Sequence, residues 1–351
     1  MKLLIITQKV DINDPVLGFF HRWLLEFAKH CEKLTVICLG AGEHDLPDNV
    51  EVLSLGKPTH GWPAPVGEKI QGKLAALFNF YRYLFRLRRD YDAVFVHMNQ
   101  EYVLLAGWYW RLIGKKILLW RNHPQGGFLT RVAIRFSHRV FCTSSRSFTA
   151  RFAKTKLMPA GIDTDIFRSD SGAPKTPQSI LCLGRVSPIK RVHLLIKALA
   201  ILRKEGIEFK ASIIGGPANP EDEEYARQLR KKVSEENLSE KIIFQDAVKN
   251  YEAPAIYNAH EIYANLTPTG SFDKTILEAM VCGLKIFATN DSFGEEVAGE
   301  NGFIISADEA GSVATGLRTL LSAGPASPRL AEWVKEKHSL AALVRQVLCE
   351  E

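Results

Sequence analysis

Two segments of this 351-residue chain carry charged residues at spacings that could do chemistry. Residues 184–190 read Gly-Arg-Val-Ser-Pro-Ile-Lys, and 277–283 read Leu-Glu-Ala-Met-Val-Cys-Gly. In the first, the apolar run Ile180–Leu183 ends on Gly184, Arg185 follows, and Lys190 opens an amphipathic stretch through His193, Leu194, Leu195 and Ala198. That pattern predicts strand, tight turn and helix. A helix amino end offers unpaired N–H groups to an anion, and two cations strengthen the site. A diphosphate gains negative charge as its bond to a sugar breaks, and fixed cations stabilise that charge without a metal. The competing reading makes both residues solvated surface cations.

The second segment, Thr269-Gly270-Ser271-Phe272-Asp273-Lys274-Thr275-Ile276-Leu277-Glu278, follows the apolar run Ile262–Asn265 and opens a helix. Gly270 allows close backbone approach, and Ser271 can cap the helix. The N–H groups of Ser271, Phe272, Asp273 and Lys274 could then meet phosphate or sugar oxygens. Glu278 could accept hydrogen bonds from two ribose hydroxyls, or be an acid favoured by the helix dipole. His97 ends the strand Ala93–Val96, where it could reach a donor hydroxyl or be an ordinary buried histidine. Gly18 follows the first strand–helix turn, Thr7–Leu17, where a small residue lets backbone approach a sugar.

The elements that must position these residues alternate. Strands are expected at Leu3–Thr7, Leu34–Leu39, Val50–Leu55, Ala93–Val96, Lys116–Trp120 and Val140–Thr143, with helices at 15–31, 68–89, 101–113 and 127–137. A second series has strands at Ile180–Leu183, Lys210–Ile214, Ile242–Gln245, Ile262–Asn265, Lys285–Thr289 and Gly302–Ile305. Its helices are expected at 189–204, 221–236, 250–258 and 272–282, and two more close the chain at 328–335 and 339–349. This order predicts an α/β protein of two Rossmann-like, doubly wound parallel-sheet domains. The polar, turn-rich stretch 167–178 marks the boundary. Ligands of such sheets bind beyond the carboxyl ends of the strands, which puts the expected site in a cleft between two facing domains.

Taken together, these residues resemble the family-4 (GT4) retaining glycosyltransferases of the GT-B fold, the glycosyl transferases group 1. The resemblance covers nearly the whole chain and is most specific in Gly184-Arg185…Lys190, Leu277-Glu278-Ala279-Met280…Gly283 and Asn301-Gly302; Gly161-Ile162-Asp163…Phe167 looks like the segment before the interdomain linker. It implies an acceptor-side domain over 1–170, a nucleotide-sugar-binding domain over 171–335 and a helix over 336–351 that returns to the first domain. It puts Arg185 and Lys190 on the leaving diphosphate, Glu278 on the ribose, His97 at the active site and Val248 beside the base. Gly18 and Gly270 to Asp273 fall at the donor sugar. The implied reaction is hexosyl transfer with retention, as in polysaccharide biosynthesis, with no cofactor and no metal. The chain departs from the family at Gly270, where a glutamate is common, at Arg191, where a glycine often follows the lysine, and at Leu284-Lys285, where a proline is common. Arg185→Ala and Lys190→Ala should each cut turnover by orders of magnitude with less effect on the fold.

The composition is that of a globular protein, 46% hydrophobic and 24% charged. Six cysteines without metal-like spacing read as buried thiols of a reducing cytosol. The start has too short an apolar run for a signal peptide, and no segment approaches the ~20 apolar residues of a membrane span. The net charge of +6 is uneven: residues 1–170 hold 24 Lys and Arg against 15 Asp and Glu. That excess suggests an anionic partner. A helix over 69–89 would separate Leu74, Leu77, Phe78, Tyr81, Leu84 and Phe85 from Lys69, Lys73, Arg82, Arg86 and Arg89. Such a helix could lie on the anionic inner face of a plasma membrane, or pack on the core with a solvated basic side. The expected partners are a nucleotide sugar and a glycan or lipid-linked acceptor, with no nucleic acid, in the cytoplasm. The rivals are a sugar-phosphate synthase of the same fold and a binding subunit that has lost catalysis. Neither half has the dinucleotide fingerprint G-x-G-x-x-G.

Overall fold

The computed structural model describes residues 1–57, 66–269, 272–290, 294–297, 299–305 and 309–349, with backbone alone for 66–71 and 294–295. The chain forms two compact units, Met1–Gly161 with Leu340–Glu351, and Ile162–Ser339.

In the first unit the elements run β1 (Lys2–Val10), α1 (Phe19–His30), β2 (Lys33–Ala41), β3 (Val50–Ser54), α2 (Val66–Arg86), β4 (Ala93–His97), α3 (Glu101–Leu112), β5 (Lys116–Trp120), α4 (Phe128–Phe136), β6 (Arg139–Cys142) and β7 (Thr155–Leu157). All seven strands are parallel, in the order β3-β2-β1-β4-β5-β6-β7, so the direction of winding reverses between β1 and β4. Strands such as Leu3–Ile6 and Val94–Val96 are apolar throughout because helices cover both faces. One apolar layer joins Trp23 and Phe27 of α1 to Phe95 and Phe141; the other joins Phe80 and Leu84 of α2 to Trp110 and Leu119.

The second unit continues with β8 (Ser179–Leu183), α5 (Val192–Lys204), β9 (Lys210–Ile214), α6 (Pro220–Glu235), β10 (Ile242–Gln245), α7 (Ala253–Asn258), β11 (Ile262–Asn265), α8 (Lys274–Val281), β12 (Lys285–Ala288), α9 (Gly294–Val297), β13 (Phe303–Ile305), α10 (Ala310–Ser322) and α11 (Pro328–His338). Its six-stranded parallel sheet has the order β10-β9-β8-β11-β12-β13, reversing between β8 and β11. The last helix, α12 (Leu340–Leu348), belongs to the first unit, where Leu340, Leu343, Val344 and Val347 join the layer of Trp23. The other closing helix, α11, packs on α8 of the second unit.

Several expected boundaries move. The helix expected at 15–31 starts only at Phe19, because the Asp14 carboxylate accepts from Val16 N (2.9 Å) and Leu17 N (2.7 Å) and holds 14–18 in a turn. The chain enters the second unit at Ile162, ahead of the polar stretch 167–178, because Phe167 already packs on Tyr257 (ring centroids 6.1 Å apart). Helix α10, strand β7 and the short α9 were not expected from the sequence.

Candidate active site

The loop after β8 is shaped by glycines. Gly184 has φ of 138° and Gly215, after β9, has φ of 149°. A Cβ on Gly215 would overlap the Gly184 carbonyl oxygen, so the two strand ends meet backbone to backbone. Val186 N completes the junction by donating to Gly216 O at 3.1 Å. Lys190 does not open the helix as expected: Pro188–Lys190 is one 3-10 turn, and α5 starts at Val192. Between them Arg191 is left-handed (φ 50°), at the position where the resemblance puts a glycine.

Arg185 and Lys190 come together. With Gly184, Asn265 and Thr267 they line a small pocket at the carboxyl ends of β8 and β11, beside the reversal point of this sheet. The Arg185 side chain is about half exposed and lies 4.0 Å from the buried Asp222 carboxylate of α6. Lys190 forms an ion pair with Asp273, which caps α8. That carboxylate also accepts from Asn265 Nδ2 (2.9 Å), Thr267 Oγ1 (3.2 Å) and Thr275 Oγ1 (2.8 Å). Burial alone would raise its pKa, but the Lys190 charge and these hydrogen bonds outweigh burial and hold it well below the usual range. The Asp273 carboxylate is thus committed to Lys190 and the loop, and its main chain is what remains for a ligand.

Glu278 is buried one turn further along α8 and accepts from Tyr257 Oη at 3.0 Å. Burial pushes its carboxyl up to about 7, against the lowering influence of Tyr257 and of Lys274 one turn before it. The same burial pushes the Lys274 ammonium down. Phe272 packs on His338 (ring centroids 5.8 Å apart), which in turn meets Trp333 at 4.6 Å. Val248 lies in the loop after β10. Gly270 and Ser271 lie outside the described residues.

The remaining expected residues belong to the first unit. His97 is buried at the end of β4, its ring stacked on Phe20 (4.1 Å) and walled by Phe19 and Trp23, with Nδ1 3.2 Å from Thr7 Oγ1. Gly18 precedes α1, where a Cβ would collide with the Asp14 carbonyl oxygen; its smallness serves the loop's own packing. Sequence reasoning missed Asp222, Tyr257 and the side-chain role of Asp273. Only Asp273 left a trace, as a good N-cap residue two positions before Thr275.

Residues 163–337, nearly the whole second unit, match the family described as "Glycosyl transferases group 1". Among curated proteins, a GDP-mannose-dependent alpha-(1-6)-phosphatidylinositol monomannoside mannosyltransferase of Mycolicibacterium smegmatis is 25% identical over 203 residues, covering 51% of this chain and 52% of that protein. A D-inositol 3-phosphate glycosyltransferase of Kineococcus radiotolerans is 26% identical over 192 residues, covering 48% of this chain and 44% of that protein. The chain spans about half the length of these curated relatives. Among solved structures, HepE of Anabaena in complex with UDP and glucose superposes with a TM-score of 0.72 at 17% identity, over 100% of this chain and 99% of that one. Sucrose-phosphate synthase of Thermosynechococcus elongatus gives 0.71 at 14% identity, over 100% of both chains. These likenesses show the GT-B fold.

Proposed function

Because the chain belongs to the glycosyl transferases group 1 family, we propose that it transfers a hexosyl group from a nucleoside-diphosphate sugar to a glycan or lipid-linked acceptor. One observation carries this reading: Arg185 and Lys190 share a pocket at the reversal point of a doubly wound sheet, with the buried Glu278 carboxylate on the adjoining helix. The two cations neutralise the diphosphate as it leaves, and Glu278 accepts hydrogen bonds from the ribose hydroxyls. Val248 lies beside the base. Main-chain N–H groups of Phe272, Asp273 and Lys274 meet phosphate or sugar oxygens, and His97 supports the reacting end.

With retention, the acceptor hydroxyl attacks from the face the diphosphate leaves. The bond from C1 to the phosphate oxygen breaks, the bond from C1 to the acceptor oxygen forms, and the hydroxyl proton passes to the departing phosphate oxygen. No protein base is needed for that transfer. The acceptor side falls to the first unit, whose α2 and α3 expose Leu74, Phe78, Phe85, Trp108 and Leu112 among basic residues. We assign this surface to peripheral contact with an anionic membrane on the cytoplasmic side. Among the described residues no helix is long and apolar enough to cross a membrane.

A panel of UDP- and GDP-sugars, screened by thermal shift and then by donor hydrolysis, tests the reading. Hydrolysis of one donor that falls by orders of magnitude in Arg185→Ala supports it. A donor that binds but is never hydrolysed or transferred would point to a binding subunit instead. A nucleotide-bound crystal with the diphosphate away from residues 185 and 190 ends the assignment.

A further inference from the structure

One buried tyrosine of β11 joins the two elements that carry the donor site. Tyr263 is fully buried, and its hydroxyl meets both of them. It lies 3.0 Å from the carbonyl of Leu183, the last residue of β8, and 2.6 Å from Oγ1 of Thr275, in the first turn of α8. Asn265 Nδ2 donates back to it at 3.3 Å. Tyr263 also lines the small pocket shared by Arg185 and Lys190.

The direction of the protons follows from Asp273. An ionised carboxylate only accepts, so Thr275 gives its one hydroxyl proton to Asp273 Oδ1 at 2.8 Å and can take a further bond only as acceptor. The Tyr263 proton meets that need and is shared with the Leu183 carbonyl. The other oxygen of the Asp273 carboxylate holds the Lys190 ammonium. A chain of hydrogen bonds thus runs from Tyr263 through Thr275 and Asp273 to Lys190, and its first member also grips the residue before Gly184 and Arg185.

A phenylalanine would fill nearly the same space, so packing alone does not call for the hydroxyl, which is costly to bury unless it is bonded. A second buried tyrosine stands edge-on to the first. Tyr257, its ring centroid 5.7 Å from that of Tyr263, donates to Glu278 Oε2 at 3.0 Å. The two phenols serve the two charged sides of the site separately, Tyr257 the carboxylate and Tyr263 the cations.

We propose that Tyr263 is a positioning residue for the diphosphate: through Thr275 and Asp273 its hydroxyl fixes where the Lys190 ammonium stands, and through Leu183 it fixes the start of the loop that carries Arg185. The proposal rests on the transferase reading for its ligand, while the coupling of Tyr263 to Lys190 is a property of the protein alone. A tyrosine that merely stabilised the fold would leave the phosphate contacts of the folded protein as they are.

Two measurements on the full chain test it. The first is a double-mutant cycle in urea with Tyr263→Phe and Lys190→Met. The double variant should lose less stability than the two single losses added together, because both act on one network. Strict additivity overturns the relay whatever the nucleotides do. The second is isothermal titration with UDP and with GDP. The nucleotide that the wild type binds should bind roughly two- to tenfold more weakly to Tyr263→Phe, the range for one neutral hydrogen bond. Adding Tyr263→Phe to Lys190→Met should weaken it no further. Thr275→Val should weaken it like Tyr263→Phe, and Thr275→Ser, which keeps the hydroxyl, should recover most of the loss; this pair carries the same decision should Tyr263→Phe not fold. Wild-type affinity in a folded Tyr263→Phe variant, or the same further loss in the Lys190→Met background, overturns the proposal. A wild type that binds neither nucleotide ends the donor reading and with it the ligand assigned here, a different failure from additivity in urea.

Discussion

The Lys190 ammonium is bound to the Asp273 carboxylate, a residue 83 positions away that caps the helix carrying Glu278. The contact ties the loop after β8 to the start of α8, and it alters what substitution at Lys190 should do. Both side chains are largely buried, at 22% and 10% exposure. Removing one leaves the other uncompensated, which costs about 3–5 kcal/mol. Lys190→Ala should therefore lose stability in urea denaturation as well as turnover. Asp273→Asn should lose a comparable amount. The double variant Lys190→Met, Asp273→Leu should be more stable than either single one. Arg185→Ala, whose side chain is 48% exposed, should keep near wild-type stability. Strictly additive losses in the double variant would disprove the coupling.

Glu278 gives a pH dependence with a definite sign. Its carboxyl is raised from 4.5 to about 7 by burial, so the folded protein holds a proton that the unfolded chain has released. Stability from this group is present below about 4.5 and is lost as pH rises to about 7. Nucleotide binding should run the other way, because a ribose hydroxyl needs the carboxylate as acceptor. Titrations of UDP or GDP between pH 6 and 8 should show affinity rising with pH in the wild type and a flatter response in Glu278→Gln. The phosphate's own ionisation is common to both. Tyr257→Phe removes a donor to Glu278 Oε2 and should move the wild-type midpoint to higher pH.

The sheets and their order of elements were legible because fully covered parallel strands are short apolar runs, as at Ile180–Leu183 and Ile262–Asn265. Helix α10 was missed because Ala310–Ser322 is rich in Gly, Ser and Thr. Its Gly316 is small because Phe287 packs where a Cβ would lie. The start of α5 was misplaced because a 3-10 turn after Pro188 and a left-handed Arg191 intervene, and neither has a periodic signature. Arg185 and Lys190 could be picked out as cations in the loop after an apolar strand, and Glu278 as an acid one turn into a helix. Asp222 and Tyr257 could not, since their importance lies in partners brought near only by folding.

The junction of Gly184 and Gly215 yields a graded comparison. Both have positive φ, but nothing lies within 4 Å of a Cβ built on Gly184, whereas one on Gly215 would strike the Gly184 carbonyl. Gly184→Ala should therefore pay chiefly for backbone strain, roughly 1–3 kcal/mol. Gly215→Ala adds displacement of the very backbone that carries Arg185. It should be the less stable variant in urea, and it should lose more nucleotide affinity in titrations. The opposite ranking would mean that the loop after β8 yields more easily than the backbone contact suggests.

The surface of α2 and α3 makes the membrane assignment testable. Phe78 is 68% exposed, Leu112 is 77% exposed, and Arg82, Arg86 and Arg89 lie on or just beyond the same helix as Phe78. Helix α2 is itself held by Tyr81 Oη donating to Leu105 O at 3.0 Å and by Phe85 against Tyr109 (ring centroids 5.1 Å apart), so its exposed side is a fixed surface. Burying one phenylalanine in the headgroup region contributes about 1.5–3 kcal/mol, or roughly ten- to hundredfold in partitioning. Co-sedimentation should show binding to anionic vesicles at low ionic strength. It should weaken as salt shortens the screening length to about 10 Å at 0.1 M, and be weak on zwitterionic vesicles. Phe78→Asp should reduce binding by about the factor given by the burial energy while leaving the melting temperature nearly unchanged, since the side chain is mostly exposed. No binding to anionic vesicles at low salt would leave the basic side of α2 as a solvated surface and send the search for the acceptor to water-soluble molecules.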